Sequence, residues 1–422
     1  MHRTHRTQHG LSAAIAALVI SASAGALMLA SSLLADGTKP DAAAAAGPAT
    51  DSHKADRAKA DGAKGDGVKA EGTKADAVKP RHVVVFQESG RYGGWPANQG
   101  AWVWGNEVVV GFDDGEFLAT QKGHTLRRDV SPKQKLARSL DGGETWTIEE
   151  PADLRLPSGV GYQGSWPPGD GRPLGDCPGG LDFTHPDMAF TARMTTNPGV
   201  SRFYYSQNRG RTWQGPYKLP DFGRAGGTAA RTDYIVNGKH DLSLVTTLAK
   251  ENGKEGRPAI VRTRDGGKTW TLVSLIGGEP EGDDYAIMPA TARTAPGTLL
   301  TAIRHKGFLQ LYRSSNDGET WRADGARIDT GRGNPASLIR LTDGRLVLTY
   351  GYRAEPFGIR ARISPDGGQT WQPEIILRAD GGNTDLGYPR SVQRADGKVV
   401  TIYYYNLDPT KERFIGATIW QP

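Results

Sequence analysis

Cysteine is nearly missing from this chain. Cys177 is the one cysteine in 422 residues, so no internal disulfide can form and the fold cannot rest on covalent staples. After residue 81 no stretch has a 3.6-residue apolar period, which excludes a helical bundle. Acidic and basic residues nearly balance, 46 against 52, and the basic ones are scattered rather than gathered in a stripe. That pattern argues against a nucleic-acid partner and mildly favours an anionic ligand. Histidine is sparse, and no second histidine stands at ligand spacing from His185, so no metal centre is expected.

What the chain does have is glycine, 56 residues, tryptophan, ten residues, and one pattern five times over. SLDGGETW begins at Ser139, SQNRGRTW at Ser206, TRDGGKTW at Thr263, SSNDGETW at Ser314 and SPDGGQTW at Ser364. Asp141, Asn208, Asp265, Asn316 and Asp366 are residue types whose side-chain oxygens cap turns. The glycine two positions later supplies the positive φ of a tight hairpin, and the closing tryptophan is large enough to pack beneath it. Each box therefore reads as a strand-turn-strand staple without chemistry of its own. The boxes recur every 50 to 67 residues, the length of a four-stranded propeller blade. Runs such as VWGNEVVVGF (103–112), LIRLTDGRLVLTYGY (338–352) and SVQRADGKVVTIYYYN (391–406) read as hairpins between them. The expected fold is all-β: six four-stranded blades, five boxed and one not. The strand HVVVF (82–86) should close the ring beside a strand near 414–420, which removes the exposed sheet edge.

Three regions are expected. Residues 1–35 combine a basic start with an uncharged apolar run from Leu11 to Ala35, which reads as a signal peptide with a cleavage site at Ala22-Ser23-Ala24. The same run is long enough to serve as an uncleaved membrane anchor. Residues 36–80 form a low-complexity linker in which lysine recurs every five residues from Lys54 to Lys79. Residues 81–422 are the propeller. The protein is expected to be secreted, periplasmic or held at the cell surface.

The repeated box is the Asp-box, and a chain carrying five of them resembles the sialidase (neuraminidase) superfamily, in a divergent branch. The resemblance covers most of the chain after residue 81. It implies a monomeric exo-glycosidase without a cofactor that removes a terminal sialic acid or related acidic sugar from a glycan. Such enzymes use a tyrosine nucleophile polarised by a glutamate, an aspartate acid/base and three arginines on the substrate carboxylate. Carried over by position, the acid/base is Asp129, nine residues before Arg138, and the nucleophile is Tyr388 in DLGYPRSV. The arginines are Arg91, Arg304 and Arg353, with Arg360 as the fallback for the third.

Two features of the family pattern are missing. The polarising glutamate belongs near Met288-Pro289, where no carboxylate stands, so Glu281 or Asp284 is expected to reach in from a displaced loop. The glutamate that supports the first arginine is replaced by Tyr403-Tyr404-Tyr405-Asn406. His185 and Asp187, opening the second blade, read as substrate-binding residues or an auxiliary acid/base pair, with a turn pair as the plainer reading, and Arg231 and Asp233 open the third. Two rival functions remain: a hydrolase or lyase of another acidic polysaccharide, and a non-catalytic glycan-binding propeller. A Tyr388 hydroxyl that no carboxylate approaches argues for the first rival.

Overall fold

The computed structural model describes residues 79–120, 123–154, 174–194 and 198–422. The expected signal segment and nearly all of the expected linker lie outside the described residues. No helix among the described residues is long and apolar enough to cross a membrane.

Six sheets form a six-bladed β-propeller. Strand Arg81–Phe86 pairs antiparallel with Phe414–Trp420, Val83 opposite Ala417, and the sheet continues through Val399–Tyr405 to Gly387–Gln393. The first strand thus completes the last blade, as the edge argument requires. The third, fourth and fifth blades have four strands each, with inner strands Tyr234–Gly238, Ile287–Ala295 and Ala336–Arg340. One blade departs from the expected four. The first gains a strand, Ala101–Trp104, folded back on Glu107–Glu116. The second shows three strands among its described residues, and its outer edge is touched by a single bridge from Gly175 to Tyr217.

The boxes are built as their residue types dictate. The Ser139 hydroxyl accepts from the Gly143 amide at 2.7 Å and donates to Asp141 at 2.7 Å, while Asp141 accepts from the Thr145 amide and hydroxyl. The Trp146 indole donates to the Gly143 carbonyl at 2.9 Å. The other four repeat the serine or threonine link to the glycine amide. Only the fifth departs in its indole, since Trp371 Nε1 has no partner among the described residues. Phe203 and Trp270 share one buried cluster with Phe190, and fill the wedge between the second and third blades.

At the ring's centre lies a four-residue helix, Pro96–Gln99, wholly buried. The Gln99 carbonyl accepts from the hydroxyls of Thr191 and Thr232, and the Ala97 carbonyl accepts from Arg390 at 2.5 Å. This plug ties the first, second, third and closing blades together, beside the cluster described next.

Candidate functional site

Tyr388 sits in a cluster assembled from five blades. Its position follows from the two residues before it and one from the neighbouring blade. Gly387 has φ +105°, and a Cβ there would collide with the Asn334 amide, so only glycine fits. Asn334 Oδ1 accepts from the Tyr388 amide at 3.0 Å and its Nδ2 donates to the Leu386 carbonyl at 3.0 Å. These contacts hold Tyr388 at φ +51°, a left-handed backbone that a bulky residue keeps only when its surroundings enforce it.

Arg304, from the fourth blade, donates Nη1 to the Tyr388 hydroxyl at 2.8 Å. Arg353, from the fifth, stands 5.4 Å from the Tyr388 ring and is fixed by the Leu386 and Gly333 carbonyls and the Tyr404 hydroxyl. Arg231, from the third, is held by Asn98 and Glu255 and adds a third positive charge. Burial pushes the Tyr388 phenol up, but the three guanidiniums outweigh it and hold the phenol below its usual value. Tyr92 and Tyr404 behave oppositely. Burial and the nearby Asp385 carboxylate keep both phenols well above their usual value. Three buried tyrosines in one cluster are thus divided by the sign of the neighbouring charge.

Asp385 anchors the other half of the cluster. It accepts from His124 Nδ1 at 2.6 Å, Tyr404 at 3.0 Å, Arg413 Nε at 3.0 Å and the Thr125 amide at 3.3 Å. Burial opposes its charge, yet His124, Arg413 and Arg353 hold it well below the usual carboxylate range. The His124 ring stands edge-on to Trp95 at 5.0 Å and to Tyr388 at 6.3 Å.

Of the residues singled out from the sequence, Tyr388, Arg304 and Arg353 meet here. Arg231, noted at the opening of the third blade, joins them, and the other candidates do not. Arg91 turns away to Asp114, at 2.8 Å, while its neighbour Tyr92 points inward; successive residues of a strand face opposite sides. Arg231 takes the place expected for Arg91. Arg360 is buried inside the fifth blade on the Arg378 and Pro356 carbonyls. Asp129 is two-thirds exposed and bound bidentately by Arg127, which keeps its carboxylate below the usual value. Glu281 lines a separate surface cleft with Glu251 and Glu279. Asp284 is exposed, 3.7 Å from Lys306. No carboxylate among the described residues bonds the Tyr388 hydroxyl. In the expected place of the polarising glutamate stands Met288, whose Sδ lies 3.5 Å from Arg304 Nη1. His185 accepts from the Asp187 amide, and Asp187 binds Arg209 of the second box at 2.6 Å, so this pair braces a turn.

Sequence reasoning missed His124 and Asp385 altogether. The signals were faint: His124 is five residues before Asp129, and Asp385 three before Tyr388.

The BNR repeat-like domain family matches residues 185–401, just over half of the chain. The chain belongs to that family. No curated protein matches it in sequence. Among solved structures it is similar to an unknown function protein from Dyadobacter fermentans, at 21% identity and a TM-score of 0.61, over 82% of this chain and 98% of that one. It is also similar to the NanB sialidase of Streptococcus pneumoniae, at 12% identity and a TM-score of 0.57, over 80% and 70% of the two chains. Trypanosoma rangeli sialidase, in complex with 2,3-difluorosialic acid as a covalent intermediate, matches at 12% identity and a TM-score of 0.52. That match covers 81% of this chain and 59% of the other. At such identities the likeness is one of fold: this BNR repeat-like chain has a sialidase-like propeller.

Proposed function

We propose that the chain is a glycan-cleaving enzyme, a glycosidase of sialidase type in its architecture, acting at a sugar that carries a carboxylate. The observation that carries this reading is the phenol of Tyr388 under three guanidiniums. Arg304 Nε is buried without a partner, and Nη2 has none among the described residues either. A substrate carboxylate would satisfy both through charge-assisted hydrogen bonds. With that carboxylate seated, Tyr388 is the group nearest the reacting sugar. As a phenolate it can attack the anomeric carbon while the glycosidic oxygen leaves, and water then hydrolyses the tyrosyl-sugar intermediate. The arginines take over the activating role that a polarising glutamate plays in the sialidase pattern.

Met288 favours a second reading, in which the acidic sugar is not sialic acid. In a uronate polysaccharide the Tyr388 phenolate could remove the proton α to the carboxylate, and the glycosidic oxygen at the β carbon would depart by elimination. Arg304 and Arg353 would offset the charge that grows on the carboxylate.

The deciding experiment incubates the protein with an aryl sialoside and, separately, with uronic-acid oligosaccharides. Aryl alcohol release identifies exo-sialidase action. New reducing ends without ultraviolet absorbance identify uronide hydrolysis, and absorbance from a conjugated unsaturated uronate identifies elimination. Saturable binding without any product would leave a glycan-binding propeller and overturn the enzymatic reading. The run from Leu11 to Ala35 supports an exported site of action. Amino-terminal sequencing of the mature protein checks it, and an intact Met1 in a cytoplasmic fraction would refute it.

A further inference from the structure

We propose that His124, oriented by Asp385, is the group that hands a proton to the departing glycosidic oxygen. The inference rests on the cleavage reading above and assigns an acid to its pocket, where Asp129, paired with Arg127 at the surface, is not among the clustered residues.

The geometry separates the two imidazole nitrogens. Asp385 is 5% exposed, and its charge is held by His124, Arg413 and Arg353. A carboxylate in that state only accepts, so His124 Nδ1, at 2.6 Å, carries the proton between them. That leaves Nε2 as the nitrogen available to a substrate, with no partner among the described residues. His124 itself is 29% exposed, so its ring borders both the buried carboxylate and the open side of the cluster. Its ring stands nearly perpendicular to that of Tyr388, with centroids 6.3 Å apart, so imidazole and phenol border the same cluster. Trp95 closes one flank of the imidazole, and Tyr92 and Tyr404 close the base.

The charged and titratable groups facing His124 come from each element packed around it. Asp385 and Tyr388 border the inner strand of the closing blade, Tyr404 lies on the strand beside it, and Tyr92 belongs to the first blade. Arg413 and Arg353 reach Asp385 or Tyr404 rather than the imidazole.

The steps balance. The imidazolium gives its Nε2 proton to the glycosidic oxygen as the bond from that oxygen to the sugar carbon breaks. On the hydrolytic route the Tyr388 oxygen bonds the anomeric carbon. Neutral His124 then takes a proton from the attacking water as Tyr388 leaves as phenolate. On the elimination route Tyr388 gains the proton from carbon and His124 still delivers one to the leaving oxygen. Asp385 is a positioning residue on either route.

The test compares His124→Gln with wild type on a matched pair of substrates, one with an aryl leaving group of low pKa and one with a sugar leaving group, using the acidic sugar on which wild type is active. His124→Gln should lose on the order of a hundredfold or more in kcat on the sugar leaving group. Its kcat/KM on the aryl substrate, which reports bond cleavage alone, should stay within about threefold, and the basic limb of its pH profile on the sugar leaving group should vanish. Asp385→Asn, which removes the carboxylate that holds Nδ1, should also lower kcat/KM on the sugar leaving group. Asp385 also holds Arg413, so this variant is read beside its melting temperature, and His124→Gln, on a part-exposed loop, decides the matter. An active wild type whose His124→Gln variant keeps full rates on both substrates, with the basic limb intact, overturns the assignment. A wild type inactive on every acidic sugar overturns the cleavage reading itself, and the catalytic claim for His124 with it.

Discussion

Arg304 Nη1 stands 2.8 Å from the Tyr388 hydroxyl and 3.5 Å from Met288 Sδ, so the cation that bonds the phenol is itself faced by a thioether. A carboxylate at that place would draw the phenol proton away. A guanidinium instead stabilises the phenolate once the proton has left. The pocket thus reaches an activated tyrosine by the opposite charge arrangement.

Removing either partner should show in kinetics. Tyr388→Phe should abolish turnover with folding intact, because the ring still packs against Tyr404. Arg304→Ala should lower kcat/KM by about 3 kcal/mol, the worth of one or two charged hydrogen bonds, which is roughly a hundredfold. Steady-state rates with circular dichroism of each variant check this. A Tyr388→Phe protein at full activity would remove the phenol from the chemistry.

The ionisation of Tyr388 should be visible without a substrate. Ultraviolet difference titration should find one phenolate forming below the usual tyrosine range in wild type, absent from Tyr388→Phe and raised by Arg304→Ala. Met288→Glu should raise it too, since an added negative charge opposes the phenolate. Residue 288 already has φ +54°, so exchanging one unbranched side chain for another leaves the backbone demand as it is.

Asp129 should prove dispensable. Its carboxylate is at the surface on Arg127, so Asp129→Ala is expected to leave rates within about twofold for good and poor leaving groups alike, as typical of exposed ion pairs. A loss confined to poor leaving groups would return the proton donor to Asp129 and remove it from His124.

Acid stability should track the boxes. In Asp141 burial opposes the charge, but the Thr145 and Ser139 contacts hold its pKa at about 2; in Asp366 the Thr370 hydroxyl and amide do the same, again to about 2. Folded values below the unfolded one of about 3.9 mean a contribution that is present above that pH and lost as pH falls toward 2. Two native boxes carry asparagine, at 208 and 316, with the same turn contacts. Asp141→Asn combined with Asp366→Asn should therefore fold normally and lose less stability between neutral and acid pH than wild type. Thermal melts across that range provide the measurement, and an unchanged acid slope would count against the assignment.

The propeller was legible because its information is local. A box fixes its own turn with residues two to seven apart, so five of them reveal five blades, and the need to cover a strand edge places Arg81–Phe86 against Phe414–Trp420. Part of the site was legible for the same reason: Tyr388, Arg304 and Arg353 keep their spacing from boxes and turns. What tertiary structure decided was which charges face one another. Whether Arg91 or Arg231 serves Tyr388 depends on strand facing and on the helix at the axis, through Asn98. Asp385 and His124 are 261 residues apart and meet only when the ring closes. Charges act through space, so the partner that raises or lowers each buried phenol emerges only once the six blades stand side by side.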